Sequence, residues 1–362
     1  MIKLALRLVL CTLLLFGVFH AIFERETRET EAGRSTLESS ADRLTRLRTV
    51  WTIGGSRFWS ILSHIDHRKL TASLGLMGVT MYLGAARWQL VMRSAGLNLP
   101  IRRVMEISLV AQFFNSFLLG ASGGDVVKAL FAARETNHLK PEAVATVFLD
   151  RAIGLLSMLG FSVILIPFHV TLLQNSSALL TASILAACMF LGGIAILVYA
   201  RWRPRVQNRD STGSPTARSA SALMQRISRV LDTCSNCSTQ ASVLLKSILV
   251  SFAINALCVL QFWLLGSALG ISVDFLSLGL VVPMVVVFSA LPITPSGLGV
   301  RENLFVTLLS SPGIDVAHTS ALTLSLVAFA TTLVWSFAGG VVYVLFREKH
   351  RLGELTQTEA QS

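Results

Sequence analysis

Ionisable residues are rare inside the apolar stretches of this chain, and the few present are the residues that could do chemistry. Asp125, Lys128, Asp150, Arg151, Arg301 and Glu302 all fall in or beside segments otherwise apolar enough for a bilayer. Such groups cost several kcal/mol at membrane depth unless they face a cavity or a partner. Arg151 and Arg301 offer planar, bidentate donors of the kind that hold phosphate. Two glycine-rich breaks, Ser122-Gly123-Gly124 and Gly297-Leu298-Gly299, precede helix starts, where free backbone N–H groups and the positive dipole end favour an anion. The combination reads as a bipartite anion site. Ser122, Gly123, Gly124, Arg151, Gly297, Gly299 and Arg301 are expected to contact substrate. Asp125, Lys128, Asp150 and Glu302 would orient the cations or carry a coupling proton. The competing reading is a set of buried ion pairs that only lock the fold. Asp150 and Arg151 point about 100° apart on a helix, so each needs its own partner. Arg87 lies late in its segment, where its long side chain can snorkel to the interface, and carries less weight.

The elements that must position these residues follow from hydropathy. The chain has 362 residues, 53% hydrophobic and 14% charged, with a mean hydropathy of +0.65. That composition suits a bilayer better than water. About 20 apolar residues cross roughly 30 Å of hydrocarbon as a helix, because each backbone group must be satisfied within the segment. Segments near 3–23, 70–92, 143–167, 178–200, 245–268 and 320–346 have that length. Two further regions, 104–131 and 273–311, are interrupted by Leu119-Gly120-Ala121-Ser122-Gly123-Gly124-Asp125 and by Leu291-Pro292-Ile293-Thr294-Pro295-Ser296-Gly297-Leu298-Gly299, so neither is one continuous helix. The expected fold is all-α: a polytopic membrane protein with about six full spans and two re-entrant helical hairpins.

Charge sets the orientation. The net charge of +11 lies in loops between apolar segments, which makes it topology information and argues against nucleic acid as a partner. The 201–246 stretch holds Arg201, Arg203, Arg205, Arg209, Arg218, Arg226, Arg229 and Lys246 against Asp210 and Asp232, and is assigned to the cytoplasm with the 347–362 tail and the N-terminus. Loops near 168–177, 269–274 and 312–319 have almost no cations and are assigned outside. The division is thus a first helix at 1–23, an extracytoplasmic polar insert at 24–69, a membrane half at 70–200 and a basic loop at 201–244. A second membrane half at 245–346 and the tail follow. With these assignments 104–131 enters from the cytoplasm and 273–311 from outside. The window Phe114–Phe131 aligns without gaps on Phe288–Phe305, pairing Ser122-Gly123 with Ser296-Gly297, Val126 with Val300 and Leu130-Phe131 with Leu304-Phe305. A unit repeated in opposite orientation is the design of many secondary transporters, with the site at the broken helices.

These motifs resemble a known family. Asn115-Ser116-Phe117 leading to Gly123-Gly124-Asp125, then Phe148-Leu149-Asp150-Arg151-Ala152-Ile153-Gly154, then Leu291-Pro292 to Gly297-Leu298-Gly299-Val300-Arg301-Glu302, are similar to the lysylphosphatidylglycerol synthase transmembrane region, or flippase-like family. The resemblance covers most of the chain outside 24–67 and 201–246. It implies a bacterial or archaeal inner-membrane protein that moves an anionic or lipid-linked substrate between leaflets, with membrane lipids and a pathway enzyme as partners. Leu119-Gly120 stands where the family pattern has a proline-glycine pair. The soluble aminoacyl-transfer domain of the full synthases is expected to be missing, so no enzymatic step is expected.

Other readings carry less. Gly120-Ala121-Ser122-Gly123 matches a pattern of intramembrane serine hydrolases, but Ser122 needs a histidine base at membrane depth, and His169 and His318 fall in expected outer loops. A non-transporting scaffold for a lipid or glycolipid enzyme is the other alternative. His64, Asp66 and His67 suit a solvated face, and Cys234 and Cys237 form one CxxC pair without a second. No metal or cofactor is expected.

Overall fold

The computed structural model describes residues 43–117, 123–135, 140–202, 241–291, 297 and 299–359, together with His20, Phe23, Glu24, Thr27 and Arg28. All regular structure among these is helical. In chain order the helices are α1 (Arg43–Ser63), α2 (His67–Ser94), α3 (Ile101–Phe117), α4 (Gly123–Glu135), α5 (Lys140–Leu165), the short α6 (Val170–Asn175), α7 (Ser177–Trp202), α8 (Ala241–Ala268), α9 (Phe275–Ser289), α10 (Val300–Leu309) and α11 (His318–Glu359). Among the described residues, four stretches are long and apolar enough to cross a membrane: Pro141–Asn175, Ser177–Tyr199, Ser242–Ala268 and His318–Leu345. They coincide with four of the six expected spans. α2 has the length of a fifth, but its polar residues keep it out of that class. Apart from His20 and Phe23, the 3–23 span lies outside the described residues.

Local sequence explains where several helices begin. Asp66 caps α2 by accepting from the Arg68 and Lys69 backbone N–H groups at 2.9 and 3.4 Å, and Asp274 does the same for α9 with Leu276 and Ser277. The arms α3 and α4 fold back on each other: Arg103, in the first turn of α3, donates from Nε to Glu135, the last residue of α4, at 3.0 Å. Their close approach depends on Gly124, where an added Cβ would stand 2.1 Å from the Ala111 carbonyl oxygen. At about 1.5 Å per residue, neither arm of either broken region is long enough to span the bilayer alone.

Eight of these helices, α2 to α5 and α8 to α11, form two copies of one unit. α2 and α8 span 67–94 and 241–268, α3 and α9 start at 101 and 275, and α4 and α10 end at 135 and 309, each pair offset by 174 residues. α5 and α11, starting at 140 and 318, are four residues further apart. The two copies run antiparallel. The Asp66 backbone N–H, at the start of α2, donates to the Ala268 carbonyl at the end of α8 at 2.9 Å, and Lys69 Nζ reaches the Ser267 hydroxyl at 2.7 Å. Further along α2, Arg87 donates to Ser251, toward the start of α8. Each broken region leans on the other copy's closing helix: the Ser116 and Ser336 hydroxyls meet at 2.7 Å between α3 and α11, and Ser162 donates to the Leu280 carbonyl at 3.2 Å between α5 and α9.

Two features differ from the sequence reading. α4 begins at Gly123, whereas α10 begins at Val300, three residues beyond the position the repeat would give it. Gly297 and Gly299 instead hold positive φ angles of 69° and 82°, a region open to glycine and costly for other residues. Within the 24–69 stretch, α1 places Trp51, Phe58, Ile61 and Leu62 against the main apolar core, which also includes Val50, and Trp51 meets Phe23 edge to face at 5.4 Å. Amphipathic periodicity inside an overall charge-balanced segment accounts for that packing. The last helix runs on through the 347–359 part of the tail.

Candidate functional site

The chemistry-bearing residues converge where the two repeats face each other. Asp150 on α5 receives two cations: Arg87 Nε at 2.8 Å on one carboxylate oxygen and Lys128 Nζ at 3.4 Å on the other. Arg87 also donates to the Ser251 hydroxyl at 2.9 Å and to the Asp150 carbonyl at 3.3 Å. Lys128 lies 4.1 Å from the Trp88 ring centroid, a cation–π contact. Gly154, one turn beyond Asp150, makes room for this network, since a Cβ there would stand 3.0 Å from the Arg87 guanidinium. Arg87 therefore turns inward with its side chain only 12% exposed, rather than snorkelling to the interface.

Arg151 takes a separate partner, as its 100° offset from Asp150 requires: its NH1 is 3.6 Å from Asp125 Oδ2. On the second repeat Arg301 pairs with the neighbouring Glu302, which is fully buried, and its guanidinium carbon lies 4.4 Å from the Phe329 ring centroid. The other Glu302 oxygen accepts the Gly299 backbone N–H at 2.7 Å.

Two adjoining cavities collect these groups. One, of about 270 Å³, is lined by Arg87, Asn115, Asp125, Lys128, Asp150 and Arg151 among others. The second, of about 400 Å³, is lined by Arg301, Ser289, Gln261, Phe329 and Met77, and shares Gln112, Asn115 and Arg151 with the first. Residues flanking both breaks thus face connected space. Ser122 lies outside the described residues.

Two of the glycine backbone N–H groups have partners within the chain. The Gly124 N–H donates to the Asn115 side-chain oxygen at 2.7 Å and the Gly299 N–H to Glu302, so these two donors are already taken. Gly123 and Gly124 are buried between the arms of the first hairpin, and Gly297 lies against the Ser289 carbonyl. Among the described residues, Arg87, Lys128, Arg151 and Arg301 face Asp125, Asp150 and Glu302, formally four cations against three carboxylates beside a partly apolar cavity. Arg87 is the member that carries less weight in the sequence reading, because its place late in the segment allows snorkelling; the structure turns it inward onto Asp150. His169 and His318, at helix junctions, are both buried.

Comparison with known proteins agrees with this architecture. Residues 44–340 match the family described as Lysylphosphatidylglycerol synthase TM region. A UPF0104 membrane protein of Pyrococcus horikoshii is 21% identical over 291 residues, covering 76% of this chain and 86% of that one. Two UPF0104 membrane proteins of Methanothermobacter thermautotrophicus are 21% and 23% identical, over 75% and 70% of this chain and 83% and 76% of their own lengths. The family match includes α1, which the motif-based resemblance left out.

Proposed function

Since the chain belongs to the lysylphosphatidylglycerol synthase TM region family, we propose that it is a flippase-type carrier that moves an amphipathic substrate bearing a single phosphate between membrane leaflets. The observation that carries this reading is the unbalanced charge of the cavity between the repeats. One excess cation in a low-dielectric space favours a monoanion, such as a phosphodiester, over a neutral or doubly charged head group. Arg151 and Arg301 are the direct ligands, because both line the larger cavity and their guanidinium groups are partly accessible. Asp125 and Glu302 hold these two arginines, and Asp150 holds Arg87 and Lys128. The apolar wall of Met77, Phe262 and Phe329 suits the start of the lipid chains. The host is the inner membrane of a prokaryotic cell, with the arginine-rich end cytoplasmic.

Reconstitution in proteoliposomes with a fluorescent anionic phosphoglyceride tests this. Arg301→Gln should insert and fold yet lose translocation. The added Glu302→Gln should not restore it, although glutamine can still cap Gly299. Arg301→Lys should also be impaired, since a point charge does not reproduce a planar contact with phosphate. Full translocation by the double variant would make Arg301 and Glu302 a dispensable structural pair. No translocation by the wild type would favour the scaffold.

A further inference from the structure

Three buried polar atoms have no hydrogen-bond partner among the described residues: the amide nitrogen of Asn255, a residue that lines the smaller cavity, and the hydroxyl of Ser289 and Nε of Arg301, residues that line the larger one. Asn255 and Ser289 are 3% and 9% exposed. Other buried hydroxyls nearby return to their own helix, Ser251 to the Ser247 carbonyl and Thr331 to the Ala328 carbonyl, at 2.7 Å each. A buried donor left unmade costs more than an apolar group of the same shape, so it persists where something else supplies the acceptor.

The repeat shows that packing does not require these polar groups. Asn255 on α8 stands at the position that Met81 occupies on α2, 174 residues earlier, so an apolar side chain fits the equivalent seam. Ser289 stands where Asn115 does, but Asn115 is engaged with the Gly124 N–H across its break, and Ser289 has no such partner. Arg301 is held by Glu302 through Nη2 and by the Phe329 ring, and its Nε is a buried donor without a partner among the described residues.

We propose that Asn255, Ser289 and Arg301 Nε form a second subsite, which takes the acceptor oxygens of a phosphate ester. Asn255 and Ser289 are its specificity-determining members, and the subsite lies beside the charged cluster on the second-repeat side. The proposal rests on the anion-carrier reading and adds two uncharged donors to it. Amide and hydroxyl donors bind ester and phosphate oxygens without adding charge, so they select for the oxygen pattern around the phosphate.

The test measures thermal unfolding of the purified full chain in phosphatidylcholine nanodiscs. Phosphatidylglycerol is titrated in one arm, and inorganic phosphate or glycerol 3-phosphate in the other. Asn255→Leu and Ser289→Ala should each leave the ligand-free midpoint equal to or above wild type, because an unmade donor has been removed. Each should weaken the phosphatidylglycerol response about tenfold, the effect of one lost hydrogen bond. A response to the soluble phosphates that these variants also weaken supports the subsite with a water-soluble ester as ligand. A lower ligand-free midpoint in both variants would make the residues structural and overturn the proposal. So would an unchanged lipid response. Arg301→Gln separates the two claims. If it loses the response while Asn255→Leu and Ser289→Ala keep it, the subsite falls and the carrier reading stands; if all three keep it, both fall.

Discussion

At the residue scale, the ion pairs of this site differ in burial, and burial decides what each contributes. Asp150 is 6% exposed and serves two cations. Asp150→Asn leaves Arg87 and Lys128 facing each other without a carboxylate, a loss of about 3–5 kcal/mol by comparison with other broken buried pairs. Arg87→Gln leaves Lys128 to hold Asp150, so its cost should be clearly smaller. Unfolding midpoints in detergent should rank wild type above Arg87→Gln and Arg87→Gln above Asp150→Asn; equal losses would mean that Lys128 does not compensate. The Arg151–Asp125 pair is longer, at 3.6 Å, with side chains 35% and 22% exposed. A longer, partly exposed pair contributes less than a short buried one, so Asp125→Asn should move the midpoint less than Asp150→Asn while impairing translocation in proteoliposomes. A large stability loss without a transport defect would return Asp125 to a structural role. Sequence alone separated Asp150 from Arg151, because their angular offset on a helix is fixed. It left Arg87 undetermined, because snorkelling and inward pairing use the same residue in the same segment. Only the packing of α2 on α5 and α8 selects between them.

At the element scale, the broken helices are held by glycines whose surroundings differ. An added Cβ at Gly124 would lie 2.1 Å from the Ala111 carbonyl oxygen, and at Gly339 2.0 Å from the Leu109 carbonyl oxygen, whereas at Gly75, also helical, nothing stands within 4 Å. A backbone atom cannot rotate away as a side chain can. Gly124→Ala and Gly339→Ala should therefore force helices apart and cost about 1–3 kcal/mol. Gly75→Ala should be neutral or stabilising by up to about 1 kcal/mol, since alanine is the better helix former. Unfolding midpoints of the three variants test the sign; loss of stability in Gly75→Ala comparable to the other two would mean that any added methyl is harmful here. The existence of both breaks was legible, since Gly123-Gly124 and Pro295 to Gly299 interrupt apolar runs. Their register was not. The sequence match set Gly123 against Gly297, but α10 begins only at Val300, after two glycines in the left-handed region. A gap-free alignment scores residue types and is blind to backbone dihedrals, so it cannot see that one break is longer at its end.

At the scale of the whole molecule, the antiparallel repeat sorts the loops into two ends. The turn before α2, the end of α8 and the 269–274 stretch lie together through the Asp66–Ala268 and Lys69–Ser267 contacts, and the Ser176 and Ser311 hydroxyls meet at 3.0 Å between two loops assigned to the same side. Following each helix from those points puts Arg93, Arg102, Arg103 and Arg134 at the opposite end, beside the starts of α5 and α8. Loop charge groups the connections in this way from the sequence, and the helix directions are compatible with that grouping. Charge asymmetry is the basis of the proposed orientation, in which the arginine-rich end faces the cytoplasm. Single cysteines at Asn98 and Ser272, both exposed, sample the two ends in a background without other cysteines. An impermeant thiol reagent applied to intact cells, with the outer barrier permeabilised, should label Ser272→Cys, and should label Asn98→Cys only in inverted vesicles. The reverse pattern would place the first hairpin's entry outside and invert the direction from which each half of the cavity is reached. Labelling of both from one side would be more damaging. It would break the parity on which the opposite entry of the two hairpins depends, and with it the claim that two inverted units share one site.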